Sequence, residues 1–255
     1  NEKFDYSKPV DGSNPETDWD GLHPVDEAIV VTNPKNGWIQ NCNSTPFTSA
    51  AEYSPKREDY PRYMSIDREN HRGIHAIRLL TDRSGYTLDN LIEMAHDPVL
   101  PGFEKLIPGL VKAIDLRLDA GLGINNRLSS DLSKAADVLR TWDFKTSKTS
   151  EAMTLAHKYG EAVNAAARKT VPNLTPMQKL DYYGTDAPVA ERVALFRNVI
   201  DQLTEDFGTW KMPWGEINRF QRMNGDIDLT FDDNKTSIPV GLASGRWGAL
   251  AAYGM

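Results

Sequence analysis

Two stretches carry side chains whose types and spacing could do chemistry. The first, Asn41-Cys42-Asn43-Ser44-Thr45-Pro46, sets two amides and a thiol on three consecutive positions. An amide N–H aimed from a strand end at a substrate carbonyl can donate to the oxyanion that forms on nucleophilic attack. One such donor lowers the barrier by about 2.7–4 kcal/mol. Asn residues at such a place can equally cap a turn, so the residues alone leave both roles open for Asn43. Cys42 could be a nucleophile only beside a base. Nothing nearby in sequence would depress its pKa, and a lone cysteine is ordinarily a small buried hydrophobe.

The second stretch is Asn70-His71-Arg72-Gly73-Ile74-His75. Two histidines four apart on a helix can hold a metal. Here no glutamate follows the first histidine to act as base, and Arg72 sets positive charge beside any ion. Arg72 has its own use: a permanently charged, rigid fork of donors placed behind a catalytic amide could fix its orientation. The plainer reading is a surface salt bridge. Further on, Asp226, Asp228, Asp232 and Asp233 cluster without the glycine and terminal glutamate of a calcium loop, as a solvated acidic edge would.

These residues need elements to position them. Ala28–Thr32 is a β-branched run, Asn33-Pro34-Lys35-Asn36-Gly37 has turn chemistry, and Trp38–Asn41 would be the return strand of a short hairpin. Residues 44–66 read as an ordered loop. Helices are predicted over Glu69–Asp82, Pro101–Leu118, Ser130–Trp142 and Ser150–Thr170. Another starts at Thr175-Pro176-Met177-Gln178, where Thr can cap and Gln can complete the box. The clearest stripe is Val189, Val193, Phe196, Ile200, Leu203 and Phe207, in alternating steps of four and three. Short strands are predicted near Asp226–Phe231 and Ile238–Leu242. The organisation expected is an extended segment over 1–66, a helical domain over 67–209 and an irregular short-strand segment over 210–255.

Composition sets the outer limits. With 255 residues, 40% hydrophobic and 25% charged, the chain can bury a core and is not a disordered tail. No apolar run is long enough for a transmembrane helix. A net charge of −7, with Lys and Arg scattered along the sequence, argues against a nucleic-acid partner. One cysteine excludes an internal disulfide and a multi-cysteine zinc site.

Gly37-Trp38-Ile39-Gln40-Asn41-Cys42-Asn43-Ser44-Thr45-Pro46 resembles the β-chain of the penicillin acylase family of N-terminal-nucleophile hydrolases. That family includes penicillin, cephalosporin, aculeacin and acyl-homoserine lactone acylases. Three further blocks resemble it in the same order: Asp59–Met64, Glu69–Leu80 and Trp214–Phe220.

The resemblance implies a precursor that cuts itself into α and β chains, with a β-chain serine as nucleophile and that serine's own amino group as base. Asn43 matches the second Asn of the family's Asn-x-Asn motif, an oxyanion donor, and Arg72 matches the arginine that supports it. No residue matches the nucleophilic serine.

The chain is therefore expected to be an internal β-chain fragment, mainly α with a short N-terminal β-hairpin and minor strands near the C-terminus. The parent would be an α+β hydrolase of αββα type, periplasmic or secreted, acting on N-acyl compounds of the β-lactam or acyl-homoserine lactone kind. The fragment's partners would be the rest of the β-chain, the α-chain and the small N-acyl substrate, and alone it should be inactive. No cofactor is required, and no metal site is assigned: a structural calcium of the full enzyme would draw its ligands mostly from elsewhere. The competing expectation is a non-enzymatic helical interaction module.

Overall fold

The structure, a computed structural model, describes residues 3–6, 8–19, 21–120, 126–222, 225, 228 and 230–251. Internal contacts divide the chain into two compact units, Asn1–Met94 and Ala95–Met255.

The first unit is built from loops and single 3-10 turns until helix α1, His71–Thr81. The expected hairpin does not form. Its turn is present, with Gly37 N–H donating to the Pro34 carbonyl at 2.9 Å and both Asn33 (φ 47°) and Gly37 (φ 76°) left-handed. No strand is assigned to residues 28–32 or 38–41. Instead, Gln40 N–H donates to the Ser49 carbonyl at 2.8 Å, closing a compact loop around the Asn-x-Asn motif. The physical reason is exposure: Val30 is 58% and Ile39 51% exposed, so the hairpin would have had no apolar face to bury, and a lone two-stranded ribbon is marginal in water. Helix α2, Leu88–Ala95, was not anticipated, although Leu88, Leu91, Ile92 and Ala95 fall at the spacing of one helical face; that face stays exposed, and none of its residues is buried.

The second unit is a helical bundle. Its helices are α3 (Leu106–Asp119), α4 (Asn126–Arg140), α5 (Glu151–Thr170), α6 (Pro176–Thr185), α7 (Val189–Phe207) and the short α8 (Trp214–Ile217). The predicted helix from Pro101 is interrupted: Pro101–Phe103 is a 3-10 turn, and α3 proper begins at Leu106. Pro108 explains the restart, because a residue without an N–H fits only the first turn of a helix. At α6 the Thr175–Gln178 capping box is complete. Along α7, Val193, Phe196, Ile200 and Leu203 are buried, Val189 packs against the core, and Phe207 ends the stripe 43% exposed.

Two close approaches set the packing. A Cβ on Gly109 would lie 1.9 Å from the Gly184 carbonyl oxygen, so α3 and α6 cross with backbones touching. Arg192 of α7, buried, donates to the Gly109 carbonyl at 3.1 Å. On α5, a Cβ at Gly160 would stand 2.5 Å from the Trp247 ring, which is itself stacked on Phe103 with centroids 4.7 Å apart. The only sheet among the described residues is β1 (Arg219–Phe220) antiparallel to β2 (Ile238–Pro239). It is anchored by Asn218 Nδ2, which donates to the carbonyls of Val240 (3.1 Å) and Leu242 (2.9 Å), and by Trp214 Nε1, which donates to Leu242 at 2.9 Å. The strand expected at Asp226–Phe231 falls partly outside the described residues.

Candidate active site

The site lies in the first unit, where the Asn41–Ser44 loop meets the N-terminus of α1. Asn43 has φ 54°, a left-handed conformation that asparagine tolerates better than other β-substituted residues. Asn41 stabilises it from one side: its Oδ1 accepts from Asn43 N–H at 2.9 Å. The Asn43 side chain is thereby raised at an exposed loop tip.

From the other side α1 holds the loop through two residues. Asn70 is the N-cap of α1, its Oδ1 accepting from Gly73 N–H at 2.9 Å. The same amide turns its Nδ2 back to the loop, donating to the carbonyls of Cys42 at 3.0 Å and Asn43 at 3.1 Å. Arg72, half-buried in the first turn of the helix, uses Nη2 to donate to the Cys42 carbonyl and to Asn43 Oδ1, both at 2.9 Å. Helix start and loop are thus a single hydrogen-bonded unit.

Close approach makes this possible. A Cβ on Gly73 would stand 2.5 Å from Glu69 Oε1 and 2.8 Å from Ser44 Oγ, so only glycine lets α1 approach the loop this closely. Glu69 braces the junction, with Oε1 accepting from Asn70 N–H at 3.0 Å and Oε2 from the Thr48 hydroxyl at 2.6 Å. Thr45 N–H donates to the Arg68 carbonyl at 3.2 Å.

The consequence for Asn43 is directional. Its Oδ1 is taken by a cation, while its Nδ2 makes no hydrogen bond among the described residues. Donation from a charged guanidinium polarises the amide and strengthens the N–H as a donor. What the arrangement can do is offer an exposed, oriented N–H to an oxygen gaining negative charge.

Cys42 sits beneath, half-buried. Burial pushes its thiol pKa up and Glu69 adds to this, with Arg72 opposing, so the neutral thiol is favoured. This is the environment of a packing residue rather than a nucleophile. His71 and His75 share α1, but His75 is buried at 1% exposed, so the pair does not present an open face. Of the acidic cluster, Asp226 lies outside the described residues. Asp232 caps its own turn, with Oδ1 accepting from Asn234 N–H at 2.9 Å, and Asp228 is exposed.

Sequence reasoning singled out Asn43 and Arg72, and the fold brings them into contact. It passed over Asn70, Asn41, Glu69 and Gly73. Asn70 carried a readable signal, since an asparagine just before an apolar-periodic run is a helix N-cap pattern. The second use of its amide could not be read without the loop's position.

A model of the penicillin amidase family matches residues 1–245. The chain therefore belongs to a class of hydrolases that act on amide bonds. Its family is that of penicillin amidase.

Proposed function

We propose that this chain supplies an oxyanion donor, Asn43, and its positioning cation, Arg72, to an acylase that hydrolyses N-acyl compounds of the β-lactam or acyl-homoserine lactone type. The observation that carries the reading is the asymmetric use of the Asn43 amide: oxygen bound to Arg72 at 2.9 Å, nitrogen exposed and unoccupied by any described residue. In the assembled αββα enzyme, periplasmic or secreted, a β-chain serine outside these residues attacks the amide carbonyl and its own α-amino group takes the proton. The carbonyl oxygen becomes an oxyanion that Asn43 Nδ2 stabilises. Collapse of the intermediate expels the amine, and water then releases the carboxylic acid from the acyl-enzyme. Arg72 touches no reacting atom in this scheme and acts through Asn43.

The 255-residue chain by itself carries orientation and electrostatics without a nucleophile, so it does not turn over. Assaying the purified chain on a chromogenic amide tests this: hydrolysis above the buffer rate that disappears in Asn43→Ala would overturn the division of roles. The reading as an interaction module has one observation in its favour, the exposure of Trp19 (80%), Leu22 (87%) and Val25 (84%). It predicts that Asn43→Ala leaves the activity of the assembled protein unchanged.

A further inference from the structure

Within the first unit lies a cleft of about 710 Å³ that the site above does not use. Arg57, Arg62 and Arg68 line it, together with Lys3 and two acids, Asp5 and Asp67. Lys3 and Asp5, also in the wall, are each engaged elsewhere: Lys3 with Glu16 at 3.6 Å and Asp5 with Lys8 at 3.4 Å. The three arginines share one short segment, residues 57–68, whose turns bring them to the same cleft.

We propose that this cleft binds a small organic carboxylate with an aromatic or apolar body.

Its floor is organised before any ligand arrives. Arg57 Nη1 donates to the carbonyls of Tyr60 at 2.9 Å and Pro61 at 3.3 Å, and its guanidinium stands 5.1 Å from the Phe47 ring centroid. It is fixed in place with no carboxylate among the described residues to neutralise it. Arg62 and Arg68 are exposed, with side chains that no described carboxylate pairs with. Planar guanidinium forks match a carboxylate bidentately. The Ser65 hydroxyl, buried at the same wall, has no hydrogen-bond partner among the described residues.

The aromatic requirement comes from two rings in the same lining. Phe4 and Tyr63 both line the cleft, joined through Tyr6 by edge contacts of 6.2 and 6.4 Å between centroids. Tyr63 is held from behind: its hydroxyl lies 2.8 Å from His23 Nε2, while His23 Nδ1 lies 2.6 Å from Glu27. A cleft within the ~300–1,000 Å³ range of small-molecule sites, lined by both guanidinium groups and aromatic rings, suits an aryl or alkyl carboxylate better than a bare anion. The proposal does not depend on the role given to Asn43, and either can fail without the other.

Calorimetric titration of the protein at low ionic strength tests it, with benzoate as probe, benzamide as its neutral counterpart and inorganic phosphate as the bare anion. Benzoate should bind saturably, at least about tenfold tighter than benzamide, and weaken as salt is raised. The double variant Arg62→Gln/Arg68→Gln should lose about tenfold in affinity with an unchanged melting temperature. Asp67→Asn, which removes one of the two acids lining the cleft, should tighten binding about threefold, a gain that no misfolded protein would show. Absence of saturable benzoate binding, equal affinity for benzamide, full competition by phosphate at equal concentration, or a double variant that binds as tightly as the parent would each overturn the assignment.

Discussion

Arg72 Nη2 and Asn43 Oδ1 stand 2.9 Å apart, and the bond they share decides which end of the Asn43 amide faces outward. Had the guanidinium been absent, the amide could rotate and present its oxygen, which would repel a developing oxyanion. The cation thus works at one remove, by selecting an orientation.

Replacing Asn43 with Ala in the assembled acylase should lower kcat about 10²–10³-fold, the usual effect of losing one oxyanion donor. KM should change little, because the interaction develops only in the transition state. Steady-state kinetics separate the two. Equal losses in substrate binding and turnover would assign Asn43 to ground-state recognition instead.

Arg72→Lys keeps the charge but gives up the planar guanidinium whose Nη2 reaches both the Cys42 carbonyl and Asn43 Oδ1. A positioning role predicts a partial loss of kcat for Lys and a larger one for Ala. In a double-mutant cycle the Arg72 effect should largely vanish once Asn43 is already Ala. Additive losses would show that Arg72 acts independently.

Asn70 joins capping to loop clamping, and two substitutions pull these functions apart. Asn70→Ser retains a good N-cap, so stability measured by urea unfolding should stay close to that of the parent. Asn70→Ala should cost about 0.5–2 kcal/mol. Neither can donate to the Cys42 and Asn43 carbonyls, so both should lower turnover to a similar extent.

Gly109→Ala tests the crossing of α3 and α6. With a Cβ brought to 1.9 Å from a backbone oxygen, no side-chain rotation relieves the overlap. Destabilisation of at least about 3 kcal/mol is expected, at the upper end of overpacking costs. A melting temperature equal to that of the parent would contradict this close approach.

His157 supplies a pH dependence in the second unit. It is 7% exposed, its ring packs 4.5 Å from that of Trp214, and its Nδ1 has no hydrogen-bond partner among the described residues. Burial depresses its pKa from 6.5 to about 4, with Lys158 and Arg246 pushing the same way. Glu161, 3.7 Å away on the outer side, is too distant to hydrogen-bond and too solvated to reverse this. As pH falls the unfolded chain takes the proton first, so the native state loses stability from about pH 6.5 and the loss is complete below about pH 4. The loss is on the order of 3 kcal/mol. His157→Phe should remove that portion of the slope in unfolding measured between pH 4 and 7.

Much of the helical framework was legible in sequence because its signals are local. The Thr175–Gln178 box and the four-three stepping along α7 both rest on spacings of three or four residues. The hairpin failed for the converse reason. The Asn33–Gly37 turn forms, but strand pairing needs a buried face, and whether Val30 and Ile39 find one is a tertiary matter. Helix α2 did carry a local signal, Leu88, Leu91, Ile92 and Ala95 on one face, but at eight residues it is short and the structure leaves that face exposed.

The residue types at the candidate site were likewise present in the linear text, and the family match over residues 1–245 rests on that text alone. Side-chain identity and short-range spacing therefore determined which groups could serve: an amide at position 43, a guanidinium at 72, a glycine between cap and helix body. The tertiary structure decided how they serve. Only folding brings Arg72 across 29 positions to Asn43, lets one Asn70 amide cap a helix and clamp a loop, and collects Arg57, Arg62 and Arg68 around one cleft. The reason is that hydrogen-bond direction and local charge density depend on distances of a few ångströms, and sequence separation does not specify those distances.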